Sequence, residues 1–112
     1  MNVFVTVKQT PDLNVTPKLG DNHRVVREGV ELVMDQADEY GVEEGLQLAE
    51  KTDGKVTVVS MGPAKANDAI RKALSMGATS GVLITDPALA GSDALGTARA
   101  IAAALKGREW DI

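Results

Sequence analysis

The chain contains no cysteine, so disulfides, thiolate metal sites and thiol nucleophiles are excluded together. Its single histidine, His23, lies in the polar run "GDNHR", and a histidine-based metal cluster or catalytic triad therefore lacks material. Only three residues are aromatic, which leaves Val, Ile, Leu, Met and Ala to build the core. The net charge is −4 with no Lys/Arg run, so nucleic-acid binding has no electrostatic footprint. No apolar run approaches the roughly 18 residues of a membrane span. The start, "MNVFVTVKQ", lacks the basic n-region and long apolar stretch of a signal peptide. The expectation is a cytoplasmic protein with no membrane insertion.

What is present is ordinary globular material: 112 residues, 44% hydrophobic and 25% charged, enough for one core but not two. Three β-branched runs stand out: Asn2–Lys8, Lys55–Met61 and Ser80–Asp86. Each is short, apolar and bounded by polar or turn residues, as buried parallel strands are. Three helical patterns alternate with them. The first runs from about Asp38, a candidate N-cap, to Lys51, with Val42, Leu46 and Ala49 on its inner stripe. Gly41 and Gly45 each cost about 1 kcal/mol in a helix interior, and close packing of helix on sheet is the reading preferred for them. The second, Ala64–Met76, places Ala66, Ala69, Ile70, Ala73 and Leu74 inward and stops at Gly77. Pro63 lies at its first turn, where the missing N–H does no harm. The third follows Ser92 as N-cap, directs Leu95, Ala98, Ile101, Ala102 and Leu105 inward, and ends by Gly107.

Strand, helix, strand, helix, strand, helix argues for a three-layer α/β parallel sheet with right-handed crossovers. The first strand, apolar throughout, is expected between the other elements rather than at an edge. The closing "EWDI" reads as the approach to a fourth strand, so residues 1–112 are expected to be the N-terminal portion of a single domain, incomplete in this chain. Between the first strand and first helix, Gln9 to Ala37 is long for an α/β connection. Val25–Val26 and Val30–Met34 are expected to form a small hairpin or an extended arm. Arg27 to Met34 is too apolar for a free loop and is expected to pack against a partner or further polypeptide.

The turn after the second strand, Ser60-Met61-Gly62-Pro63, carries neither the glycine fingerprint of a dinucleotide site nor the Gly-Lys-Ser/Thr of a phosphate loop. Ligands nevertheless sit just past the C-terminal ends of strands in open α/β sheets. Met61 offers a polarisable surface to an aromatic base, and Gly62 lets backbone approach closely. Thr6 brings a hydroxyl near the end of the first strand. Plain core packing is the competing reading for Met61.

With these turns placed, the chain resembles the N-terminal part of the beta subunit of an electron transfer flavoprotein. The resemblance rests on "VTVKQTPD" (Val5–Asp12), "REGVELVMDQADEYGVEEGLQL" (Arg27–Leu48), "VTVVSMGPAKANDAIRKALSMGA" (Val56–Ala78) and the weaker "SDALGTARAIAAAL" (Ser92–Leu105). It implies a Rossmann-like domain of the adenine-nucleotide alpha-hydrolase-like type, paired with an alpha subunit that holds most of the redox FAD. It further implies a structural AMP in the beta subunit, touched by Thr6, Asp35, Gln36, Ala37, Asp38 and Met61, with Gly62 completing the turn. The phosphate loop of the family lies later than Ile112. Ala37 and Leu13 match positions near the partner's flavin. Donor dehydrogenases would deliver the electrons, and no residue here would make or break bonds.

One departure matters. The family usually has Asn-Pro where this chain has Asp35-Gln36. An ionised Asp accepts hydrogen bonds but cannot donate, and it repels phosphate. Two other classes compete. A stand-alone nucleotide-binding regulatory module of the universal-stress-protein type shares the βαβ pattern but needs a glycine-rich phosphate loop. A small enzyme would have to assemble Lys8, Asp12 and Asp86 at the strand ends, where ordinary loop charges explain them better.

Overall fold

The computed structural model describes residues 1–12 and 14–112. In chain order the elements are β1 (Asn2–Thr6), β2 (Gln9–Pro11), β3 (Leu32–Met34), α1 (Gln36–Thr52), β4 (Lys55–Met61), α2 (Asn67–Met76), β5 (Ser80–Ile84) and α3 (Ala94–Leu105). A short 3-10 turn, Ala64–Ala66, leads into α2. The three β-branched runs form one parallel sheet in the order β1-β4-β5. Val3 lies opposite Val56 and Thr6 opposite Val59; Val58 lies opposite Gly81 and Met61 opposite Ile84.

The expected α/β layering is present. Helices α1 and α2 pack against each other and against one face, over β1 and β4 and over β4 and β5 respectively. Their side is the core: Val3, Val56 and Val58 meet Val42, Ala49, Ala69 and Ala73, all buried. Each fully buried Val contributes about 1.5–3 kcal/mol. Gly45 is the close approach that the sequence suggested, since a Cβ there would stand 2.8 Å from Val5 Cγ2. Gly41 is exposed, and a Cβ there would make ordinary contact at 3.6 Å; sheet packing does not require that glycine. Helix α3 covers the other face, against β4 and β5.

Four expectations are corrected. Strand β1 is an edge of the three-stranded sheet, and β4 is the central strand. A run apolar on both faces shows that both faces are covered, not that both edges are paired. The outer edge of β1 is nevertheless engaged. Phe4 N donates to Ile112 O at 2.7 Å, Asp111 N to Asn2 O at 2.9 Å, and Asn2 N to Asp111 Oδ2 at 2.6 Å. Second, the cap of α1 is Asp35, not Asp38, and that of α3 is Asp93, whose Oδ1 accepts from Gly96 N at 2.7 Å. Third, Leu74 is exposed, as is much of the expected inner stripe of α3: Leu95 is 59% exposed, and no residue of that helix is fully buried. Fourth, the late valines do not pair with one another. Leu32–Met34 instead runs antiparallel to Gln9–Pro11, and an isolated bridge joins Leu19 to Val25. Met34 is buried in the chain's own core, so that end of the expected arm needs no partner.

Candidate functional site

The C-terminal end of β1 is stitched to the start of α1. Asp35 has the extended backbone of an N-cap (φ −55°, ψ 131°), and its Oδ1 accepts from Ala37 N at 2.9 Å. That bond satisfies one of the orphan donors of the first turn. Three contacts then converge on Lys8, two residues past Thr6. Lys8 O accepts from Asp35 N at 3.0 Å, Lys8 N donates to Asp38 Oδ2 at 2.7 Å, and Lys8 Nζ stands 2.5 Å from Asp35 Oδ2. The Lys8 hydrogen bond, helped by the Ala37 N–H, holds the Asp35 carboxyl below the usual carboxylate range. The same bond raises the Lys8 ammonium above its ordinary value. Gln36 and Ala37 are exposed on this turn, while Asp35 and Asp38 are half-buried.

The β4 turn lies at the same edge. Gly62 N donates to Ile84 O at 3.0 Å, which closes β4 onto the end of β5. A Cβ at Gly62 would fall 3.0 Å from Ala66 Cβ, so a bare backbone lets the chain fold directly into the 3-10 turn. Met61 is half-buried. Side chains alternate along strands, and Thr6 is opposite Val59; Thr6 and Met61 therefore share the α3 face. Asp35–Asp38 stand above the opposite face, at the start of α1. The predicted residues thus share one edge of the sheet but approach it from two sides.

Neither of two cavities against the sheet and its ribbon is lined by the full set. The larger, about 750 Å³, lies on the α3 side and takes Thr6 together with Ala98, Ile101, Ala102, Leu105 and Trp110. The smaller, about 270 Å³, lies between the β2–β3 ribbon and α2 and contains none of the predicted residues. Leu13 lies outside the described residues. Each member of the candidate enzyme set has a partner outside the set: Lys8 is tied to Asp35, Asp12 Oδ1 accepts from Asn14 N, and Asp86 Oδ1 accepts from Ala88 N. Sequence reading passed over Lys8 as a loop charge, and no local spacing pairs it with Asp35. His23 is exposed in a turn with φ 61°. Among the described residues no group of three or more His, Cys, Asp or Glu is placed to hold a metal ion, and no helix is long and apolar enough to cross a membrane.

Connectivity makes this edge the candidate place for a ligand. From β1 the chain winds through α1 to β4 and through α2 to β5, always in one direction and on one face. Helix α3 then crosses to the other face, and Asp111–Ile112 returns beside β1. The winding reverses at β1, and in open α/β sheets the ligand crevice forms outside the strand ends at such a reversal. The fold class is therefore a doubly wound, Rossmann-like α/β sheet. Residues 23–112 match the electron transfer flavoprotein domain, and the chain belongs to that family. The electron transfer flavoprotein subunit beta of Thermoanaerobacterium thermosaccharolyticum is 42% identical over 112 residues, all of this chain and 43% of the relative. The subunit beta of Mycobacterium tuberculosis is 44% identical over 110 residues, covering 93% of this chain and 41% of the relative. Protein FixA of Azotobacter vinelandii is 40% identical over 109 residues, covering 95% and 38%. The chain spans about two fifths of the length of these relatives.

Proposed function

We propose that the chain is the N-terminal portion of an electron transfer flavoprotein beta subunit that binds a structural AMP at the C-terminal edge of its sheet. It pairs with an alpha subunit holding most of the FAD, relays electrons from donor dehydrogenases in the cytoplasm, and performs no bond-making chemistry itself. What supports this reading is that Thr6, the Asp35–Asp38 turn and the Met61–Gly62 turn all lie at the strand-end edge where the winding reverses, although on two faces of the sheet, in a member of this family. Family membership also weighs against the universal-stress-protein reading.

The residues suit an adenosine. Met61 presents a half-buried, polarisable surface for the base, Gly62 opens the backbone, and Thr6 exposes a hydroxyl. Asp35 can accept from an amino or ribose hydroxyl group, while its charge is already met by Lys8. The redox chemistry belongs to the FAD; the groups of this chain bind and orient a nucleotide and exclude water from it. Even-numbered amides of β1 point away from β4, and Phe4 N already meets Ile112 O. A fourth parallel strand continuing from Asp111 would take Thr6 N–H next and cover the apolar groove under α3.

The test is direct. Full-length chain is purified with its alpha subunit, denatured, and the released nucleotides are separated. About one AMP per beta subunit is the expected yield, beside the flavin. A preparation free of adenine nucleotide other than FAD overturns the AMP assignment.

A further inference from the structure

We propose that Lys8 is the positioning and charge-compensating residue of this crevice: it fixes the first turn of α1 against the end of β1 and offsets the carboxylate that stands there. The inference rests on the nucleotide reading above and deepens it by stating how an acidic corner admits an anionic ligand.

Lys8 engages α1 through all three of its polar groups. Its carbonyl receives the Asp35 amide, its amide donates to the Asp38 carboxylate, and its ammonium pairs with the Asp35 carboxylate. Two of the three acidic side chains at the base of α1, Asp35 and Asp38 but not Glu39, therefore contact this one residue. The two backbone contacts survive any side-chain substitution; only the ammonium contact depends on lysine. The pair is not sealed in the core, since the Lys8 side chain is 64% exposed and that of Asp35 21%. The ammonium has three donors and spends one on Asp35, and with the side chain 64% exposed the other two are open to solvent.

A neutral adenosine carries no charge for this corner to repel, whereas an adenine nucleotide does. Without the ammonium, its phosphate would meet the fields of Asp35 and Asp38, opposed only by the partial positive charge of the α1 N-terminus. With it, one of the three carboxylate charges at the start of α1 (Asp35, Asp38 and Glu39) is offset. Compensation of this kind lets a carboxylate occupy a position where the family pattern has an uncharged Asn, with the cap of α1 preserved.

AMP and adenosine distinguish compensation from simple scaffolding. Full-length chain with its alpha subunit is stripped of bound nucleotide, and each probe is titrated into wild type, Lys8→Met, Lys8→Arg, Asp35→Asn and the Lys8→Met/Asp35→Asn double variant. Lys8→Met is expected to weaken AMP roughly fivefold, the scale of one nearby unit charge in a wet site, and adenosine by less than about twofold. Lys8→Arg restores AMP binding, and Asp35→Asn in the Lys8→Met background recovers most of the loss. Raising the salt concentration shrinks the AMP difference. Equal weakening of both probes by Lys8→Met, or no recovery in the double variant, overturns compensation and leaves the nucleotide reading intact. Wild type that binds neither probe overturns the nucleotide reading itself, and this inference with it.

Discussion

The two faces of the sheet are built from similar residues and have different fates. On the α1/α2 face Val42, Val58 and Ala73 are wholly buried. On the α3 face a more apolar helix, "ALGTARAIAAAL", has no fully buried residue, and Trp110 beside it is 56% exposed. Helical period tells which residues share a stripe. Burial depends on whether a second layer lies across that stripe, and this layer exists for α1 and α2 because each crosses between adjacent strands of the sheet. Helix α3 leads back past the central strand to the outer side of β1, where among the described residues only the short segment Glu109–Ile112 meets it.

Substitutions can break or sharpen this contrast. The largest effect is expected at Gly45: Gly45→Val drives branched methyls into Val5 and Val3 and should cost about 3 kcal/mol or more in denaturant unfolding. Val42→Ala, which empties a fully buried position, should cost about 2 kcal/mol. Leu95→Ala on the exposed face should stay within about 0.5 kcal/mol of wild type. A Leu95→Ala loss as large as that of Val42→Ala would show that α3 is covered in solution and would end the contrast.

A smaller effect is expected from acid. Asp35 has a lowered folded value, so its stabilisation is present above its unfolded value and is lost as the pH falls through the folded one. Lys8, raised by the same bond, contributes below its unfolded value near 10.5 and loses that contribution as the pH rises through the folded value. Asp35→Asn keeps a good cap and removes only a partly exposed pair, so the loss at neutral pH should be below about 1 kcal/mol. It should also flatten the acid arm of a stability–pH profile; an unchanged arm would show that the pair is not formed in solution. The smallest effect is expected at Ser60, whose buried Oγ has no partner among the described residues. Ser60→Ala should leave stability unchanged or raise the thermal midpoint, because no hydrogen bond is lost with the hydroxyl.

The strands and helices were legible because their signals are local: β-branched runs between turn residues, and apolar residues at helical spacing. The order of the strands was not, since Val3, Val5 and Val7 look the same whether the edge of β1 meets a neighbour or water. Caps were legible in kind but not in place. Asp35 and Asp38 are both good N-caps; Asp38 is drawn off by the Lys8 amide, which only the fold brings near. Ser92 and Asp93 compete in the same way, and Ser92 Oγ donates instead to Leu89 O at 2.6 Å. Of the candidate site, the shared edge followed from topology, because every strand of a parallel sheet ends on the same side. The split of Thr6 and Met61 from Asp35–Asp38 across two faces did not, since it depends on which face each crossover takes. Lys8 was invisible for the same reason as Asp38: its partner is remote in sequence.

The antiparallel pairing of Gln9–Pro11 with Leu32–Met34, extended by the bond from Asp12 N to Glu31 O, ties the two ends of the long excursion together at its base. Closing that loop is therefore an entropic charge already met by the ribbon, and each doubling of its length adds only about 0.6 kcal/mol. The tip around Asp21–Asn22–His23 is exposed, which makes it a natural place to graft a reporter peptide or lengthen the chain. Such a graft would leave the sheet and its register as they are, provided it spares Arg24, whose guanidinium lies against Gly91 in the loop between β5 and α3 at the crevice edge.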